Sequence, residues 1–208
     1  MKPPAPVTLV GRLVRLEPLT RDHLPALAAV GLDPDLWQWT VSRVRDEREM
    51  TDWLEGALAE AAAGRAVPFV ILDCATGLVI GSTRYGNISV PDGRLEIGWT
   101  WLGRSWQRSG RNAEAKLLLL AHAFDQLGAS RVEFKTDALN AASRAALRAL
   151  GALEEGVLRR HTVTATGRVR DTVYFGILAE EWPEVRKRLE ERLRERGEGR
   201  GEDQKAGR

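Results

Sequence analysis

The order of elements between Leu95 and Thr136 restricts the fold more than any other stretch of this chain. Leu95-Glu96-Ile97-Gly98-Trp99-Thr100-Trp101-Leu102 alternates as a strand, with Leu95, Ile97, Trp99 and Trp101 expected on one face and Glu96, Gly98 and Thr100 on the other. A short turn containing Gly110 leads into a helix from about Ala113 to Leu127. Its apolar stripe is Ala113, Leu117, Leu120, Ala121, Phe124 and Leu127, and Gly128 is the stop signal. Arg131 to Thr136 follows as a strand. A helix crossing between two strands of one sheet makes those strands parallel. Two parallel neighbours inside an otherwise antiparallel sheet can splay apart, and the helix start lies at the mouth of that opening. Its first N–H groups lack intrahelical partners and sit at the positive end of the helix dipole, so a phosphate or pyrophosphate fits there. An ordinary strand-to-helix turn is the competing reading of the same residues.

The flanking segments supply the rest of the sheet. Val7 to Leu16 reads as a first strand, Thr20 as the cap of a short helix over Asp22 to Val30, and Asp33-Pro34-Asp35 as a turn carrying Trp37 and Trp39. Asp46 caps a longer helix in which Met50, Trp53, Leu54, Ala57, Leu58 and Ala61 share a face, ended by Gly64. Val67 to Asp73 and Leu78 to Arg84 form a hairpin, and Pro91-Asp92-Gly93 turns the chain into the Leu95 strand. After Arg131 to Thr136 come a helix over Ala141 to Leu150, strands over Leu153 to Val163 and Val169 to Leu178, and a final helix from Trp182-Pro183. The expectation is one α/β domain over 1–196 with a mixed, mostly antiparallel sheet of about seven strands, and a disordered charged tail over 197–208.

Composition excludes several classes. A formal net charge of +2, with Arg interleaved among Glu and Asp, argues against a nucleic-acid partner. Cys74 is the single cysteine, and His23, His122 and His161 lack metal-ligand spacing, so no metal site is expected. No apolar run approaches the ~20 residues of a membrane span. The segment Met1 to Pro6 lacks the apolar core of a signal peptide, which makes the chain read as cytoplasmic.

Gln107-Arg108-Ser109-Gly110-Arg111-Asn112 resembles the Arg/Gln-x-x-Gly-x-Gly/Ala signature of the GCN5-related N-acetyltransferase (GNAT) family, with Asn112 in place of the small final residue. Ala113-Glu114-Ala115-Lys116, the Leu-rich helix, Asp137-Ala138-Leu139-Asn140-Ala141-Ala142-Ser143 and Arg170-Asp171-Thr172-Val173-Tyr174 are similar to the branch acting on ribosomal-protein N-termini, the Rim type. The resemblance implies acetyl-CoA as co-substrate, its pyrophosphate held by Arg108, Ser109, Gly110, Arg111, Asn112 and Ala113. It implies that the backbone of Trp99, Trp101 and Leu102 bonds the pantetheine arm, with Asn140 on the other side. Asn140 also reads as a helix N-cap, and the two roles are compatible. A homodimer is a further expectation from the family.

Acetyl transfer to a primary amine needs a base, because an alkylammonium has a pKa near ~10. Glu96 is the candidate; a salt-bridged strand carboxylate is the bland alternative. The tyrosine that many relatives place seven residues after the Asn is Leu147 here, which removes the usual acid. Ser143, by resemblance, lies near the sulfur as a hydrogen-bond donor, with Tyr174 and Tyr85 in reserve. Trp37, Trp39 and Tyr85 are candidates for the acceptor wall, and core packing is the other reading of the tryptophans. Cys74 reads as a packing residue and His161 as structural. The acceptor is expected to be an amine, with a protein N-terminus suggested by the Rim resemblance; small amines are the alternative, as is a non-catalytic acetyl-CoA sensor. A dinucleotide-binding oxidoreductase would need a Gly-x-Gly-x-x-Gly turn early in the chain, and Gly110 stands alone and late.

Overall fold

The computed structural model describes the backbone of residues 1–205 and side chains through Glu195; the tail expected over 197–208 lies outside the fully described residues. The first strand of the sequence reading is in fact two, β1 (Leu9–Val10) and β2 (Val14–Pro18), paired antiparallel. The break has a long-range cause. The buried carboxylate of Glu114 accepts the backbone N–H groups of Arg12 (3.1 Å), Leu13 (2.6 Å) and Val14 (2.8 Å), replacing ladder bonds with a tight corner. A Cβ on Gly11 would stand 2.5 Å from the Glu114 Oε2, so only glycine admits that approach.

A 3-10 turn capped by Thr20 leads into α1 (Leu24–Gly31), and Asp46 caps α2 (Glu47–Ala62), its side chain accepting from Glu49 N at 2.8 Å. Then follow β3 (Val67–Asp73), β4 (Val79–Ser89) and β5 (Arg94–Leu102). The crossover helix α3 spans Arg111–Ala121 and loosens into a π-turn over His122–Gln126. Next come β6 (Arg131–Asp137), α4 (Ala141–Leu150), β7 (Leu153–Val163), β8 (Val169–Leu178) and α5 (Trp182–Lys205).

These strands form one eight-stranded sheet in the order β1-β2-β3-β4-β5-β6-β8-β7. Every pairing is antiparallel except β5 with β6. That parallel pair lasts three steps, Arg94↔Arg131, Leu95↔Val132 and Glu96↔Glu133, and then the strands part. One core lies under α3, α4 and α5, with Leu95, Ile97, Leu119, Phe134, Leu150, Phe175 and Leu189. A second lies under α1 and α2, with Leu27, Met50, Leu54, Val70 and Trp101.

Two expectations of facing fail here. Leu95 and Ile97 enter the first core, but Trp101 enters the second, so the alternation reverses midway along β5. The pairing steps from Gly98↔Arg84 to Trp101↔Ser82, three residues on β5 against two on β4, and Trp99 has φ +50°. That is a β-bulge, which inserts one residue and swaps the faces beyond it. On α3 the buried residues are Glu114, Ala115, Lys116, Leu119 and Leu120, whereas Ala113 and Leu117 of the expected stripe are half-buried. The buried face is turned to include two charged residues because both find partners inside.

Candidate active site

Between β5 and α3 the chain runs through a 3-10 turn (Arg104–Trp106), then Arg108 at φ +58° and Gly110 at φ +90°. Gly110 is the N-cap of α3 and offers no side chain, so Arg111, Asn112 and Ala113 present N–H groups without intrahelical acceptors. Neighbouring side chains secure the loop: Gln107 Nε2 donates to Leu102 O at 3.0 Å and Ser109 Oγ to Trp106 O. The Arg111 guanidinium turns away to Asp73, at 2.6 Å, leaving its backbone at the corner. Burial alone would raise the Asp73 carboxyl, but the bonds from Thr76 and Arg111 outweigh it and hold it below the usual range. Asn112 Oδ1 is buried without a partner at the same place. A main-chain cradle of this kind fits a diphosphate.

Where β5 and β6 part there is a cavity of about 280 Å³, and the corner residues 107–113 are not part of its lining. β5 past Glu96 has no strand partner on its β6 side, so its backbone there is open to a peptide-like ligand. Asn140 and Ser143, at the start of α4, line the far wall. Asn140 Oδ1 caps the helix by accepting from Ser143 N at 2.9 Å, which leaves the Nδ2 donors for the cavity.

Glu96 sits at the last β5–β6 pair, buried, where Lys135 Nζ approaches to 2.8 Å and Asn87 Nδ2 donates to the same carboxylate oxygen. Burial would weaken the Lys135 ammonium, but Glu96 holds its pKa above the ordinary value. Trp37, Trp53 and Trp101 form a mutual cluster with ring centroids 5.6 to 6.0 Å apart and floor the cavity. Trp39 lies against the Arg168 guanidinium, and Ala165 N bonds Val41 O at 2.9 Å, so the β7–β8 hairpin tip and the loop before α2 close one side together. Below the bulge, Lys116 Nζ donates to Thr100 Oγ1 at 2.6 Å and lies 6.0 Å from the Phe134 ring. Burial pushes this amine down to about 7.

The chain matches the acetyltransferase (GNAT) domain family over residues 13–153. It belongs to that family. A GCN5-related N-acetyltransferase from Brucella melitensis superposes with a TM-score of 0.85 at 30% identity, over 92% of this chain and 87% of that one. Mycobacterium smegmatis RimJ, solved in complex with CoA-disulfide, gives 0.77 at 29% identity over 91% and 96%. The Bacillus licheniformis protein named uncharacterized N-acetyltransferase p20 is 28% identical over 176 residues, 84% of this chain and 98% of its own. This GNAT acetyltransferase is therefore an acyltransferase that draws on acetyl-CoA. Among the described residues no helix is long and apolar enough to cross a membrane.

The fold brings Glu96, Trp99, Trp101, Asn140, Ser143, Trp37 and Trp39 to one GNAT cavity. Leu102 and the corner residues Arg108, Ser109, Gly110, Arg111, Asn112 and Ala113 are not among them. Nor is Tyr85. It is fully buried in the first core, edge-on to Phe69, and donates from its hydroxyl to Leu119 O at 2.6 Å. It does not line the cavity and its hydroxyl is committed to Leu119 O, so it is placed neither as acceptor wall nor as an acid there; burial also raises its pKa well above the ordinary value. Tyr174 stands near the cavity, against Lys135 and His161, and Leu147 is buried in the core. Cys74 is exposed at the β3–β4 turn rather than packed, and it does not line the cavity. Sequence reasoning missed Trp53, Asn87, Lys135, His161, Arg170 and Thr172 as lining residues. A signal for two of them was present: Arg170 and Thr172 alternate with Val173, Phe175 and Ile177, a polar face opposite a core face.

Proposed function

We propose that this enzyme acetylates a primary amine by direct attack, with protein N-termini as its acceptor class, and that it works as a cytoplasmic homodimer. The observation that carries the reading is the Glu96 carboxylate, buried at the point where β5 and β6 part and oriented by Lys135 and Asn87. Acetyl-CoA, when bound, supplies a thioester already activated towards amines.

The chain's own residues do the remainder. Glu96, directly or through a water, accepts the proton that an acceptor ammonium must lose before its nitrogen can attack. Open N–H groups of β5 around the Trp99 bulge stand ready for negative charge developing on a carbonyl oxygen. Ser143 offers a hydroxyl to the departing sulfur, a modest aid that suits a leaving group as good as a thiolate. The tryptophan cluster excludes water from the same space.

The test is a panel of N-terminal peptides and small amines incubated with enzyme and acetyl-CoA, with products located by mass spectrometry. Acetylation at peptide α-amines is expected. Turnover of a small amine while every peptide fails would remove the protein-acceptor assignment, and a monomer mass in sedimentation equilibrium would remove the homodimer.

A further inference from the structure

Arg170, on β8, is 7% exposed and lines the cavity, yet its Nε is buried without a hydrogen-bond partner. Among the described residues no carboxylate lies within ion-pair distance of it. The two acidic groups whose fields reach it are committed elsewhere: Asp137 pairs with Arg168, and Glu96 with Lys135. Among the described residues, other withdrawn arginines have a charged or aromatic partner, although Arg84 and Arg144 also leave Nε without a hydrogen bond. Arg111 holds Asp73, Arg131 holds Glu133 and Glu155, and Arg144 holds Glu154. Arg84, equally buried and without a carboxylate, lies 5.3 Å and 5.1 Å from the Trp53 and Trp99 rings. Arg170 has neither kind of partner.

Two more unsatisfied groups border the same space. Thr172 Oγ1, two residues along the same face of β8, and Trp101 Nε1 are buried without partners, and both residues line the cavity. Buried polar groups are nearly always hydrogen-bonded, so three orphans around one cavity mark a missing partner. All three can donate, which calls for an acceptor-rich group. Glu96 and Lys135 cancel each other's charge, so the guanidinium leaves the chamber with an excess positive charge, which calls for an anion.

We propose that Arg170, with Thr172 and Trp101, binds a carboxylate carried by the acceptor, so that the substrate is an amine bearing a nearby carboxylate. The amine faces Glu96 and the carboxylate faces Arg170, a zwitterionic match to the two ends of the chamber. This rests on the amine-acceptor reading above. The carboxylate can come from an acidic residue early in a peptide or from the α-carboxyl of a free amino acid.

The experiment compares matched pairs on the full-length protein: a peptide with Asp or with Asn as its second residue, and a free amino acid or its carboxamide. Binding is measured by calorimetry with and without CoA, and turnover with acetyl-CoA. The wild type is expected to favour the carboxylate at least tenfold in one pair, expressed in KM rather than kcat, and the responding pair identifies the source. Arg170→Gln brings the preference to within twofold, and Arg170→Lys keeps part of it. Arg170→Met, which removes an uncompensated charge, raises the melting temperature of the ligand-free protein, whereas an arginine serving only the fold would lower it. Equal affinity for carboxylate and carboxamide in both pairs, or an equal loss for both in Arg170→Gln, overturns the proposal. A carboxylate preference in binding without transfer to any amine would sink the acceptor reading instead and leave the anion site standing.

Discussion

The corner at Gly110, at the start of α3, and the chamber around Glu96, where β5 and β6 part, are built from different material. The corner is one continuous segment whose useful groups are backbone N–H. Its long side chains are drawn aside, Arg111 to Asp73 and Gln107 to Leu102 O. The chamber takes its groups from the loop before α2, from α2 itself, from the start of α4, and from β4, β5, β6, β7 and β8, each contributing one or a few side chains. Binding through main chain demands a conformation, and almost any sequence that allows it will serve. Binding through converging side chains demands particular residues at distant positions. On the reading proposed above, the first region would grip the co-substrate and the second would set acceptor choice.

The sharpest way to separate them is Glu96→Gln. We expect turnover to fall by roughly 10²–10⁴-fold, the usual contribution of a general base, while CoA affinity by calorimetry stays close to wild type. Loss of CoA binding in parallel with turnover would mean that the two regions are not independent. Unchanged turnover would remove Glu96 as the base and leave it as an ion-pair partner of Lys135.

Lys116 bridges the two, since it rises from α3 and ends on Thr100 in the chamber wall. Its folded pKa of about 7 lies below the ordinary lysine value, so between those limits the unfolded chain binds more protons than the native one. Stability therefore rises as pH climbs from about 7 towards 10, and the penalty is full below 7. At its largest it is on the order of 5 kcal/mol. Lys116→Met keeps the bulk, and Thr83 and Thr100 still bond each other at 2.7 Å. Urea denaturation between pH 6 and 9.5 is expected to show a flatter pH slope for this variant. Parallel curves for variant and wild type would place the titration elsewhere.

The same contrast explains what the sequence made legible. The bounds of β3, α4, β7 and β8 could be read because local signals end them: Gly64 and Gly151 after helices, and the Thr166-Gly167 turn. The Gly110 corner could be read for the same reason. The break between β1 and β2 could not, because it depends on Glu114, which lies about a hundred residues away. Nor could the reversal at Trp99, where a tryptophan takes a left-handed conformation that carries no glycine signal. Glu96, Asn140 and Ser143 were reached through resemblance, and the fold gathers them. Tyr85 was misassigned because one residue of register decides which face of β4 it occupies. The alternation of β8 could place Arg170 on a polar face, but that it is buried there without a partner is a property of three-dimensional surroundings alone.

The smallest effect we expect tests the corner itself. A Cβ on Gly110 would meet nothing closer than Leu13 Cδ1 at 3.4 Å and Leu193 Cδ2 at 3.8 Å, so space is not the obstacle. The obstacle is φ +90°, which costs an L-residue about 1–2 kcal/mol. Gly110→Ala can relieve that strain only by turning the peptide planes that aim the N–H groups at the diphosphate. Its Kd for CoA is expected to rise roughly 5–30-fold, the same energy expressed as affinity. Gly110→Asn, whose side chain tolerates left-handed backbone, should recover most of the loss. Calorimetric titration of the two variants decides between conformation and bulk. If both lose affinity equally, the larger side chain blocks the ligand; if neither does, the diphosphate is held somewhere other than the start of α3.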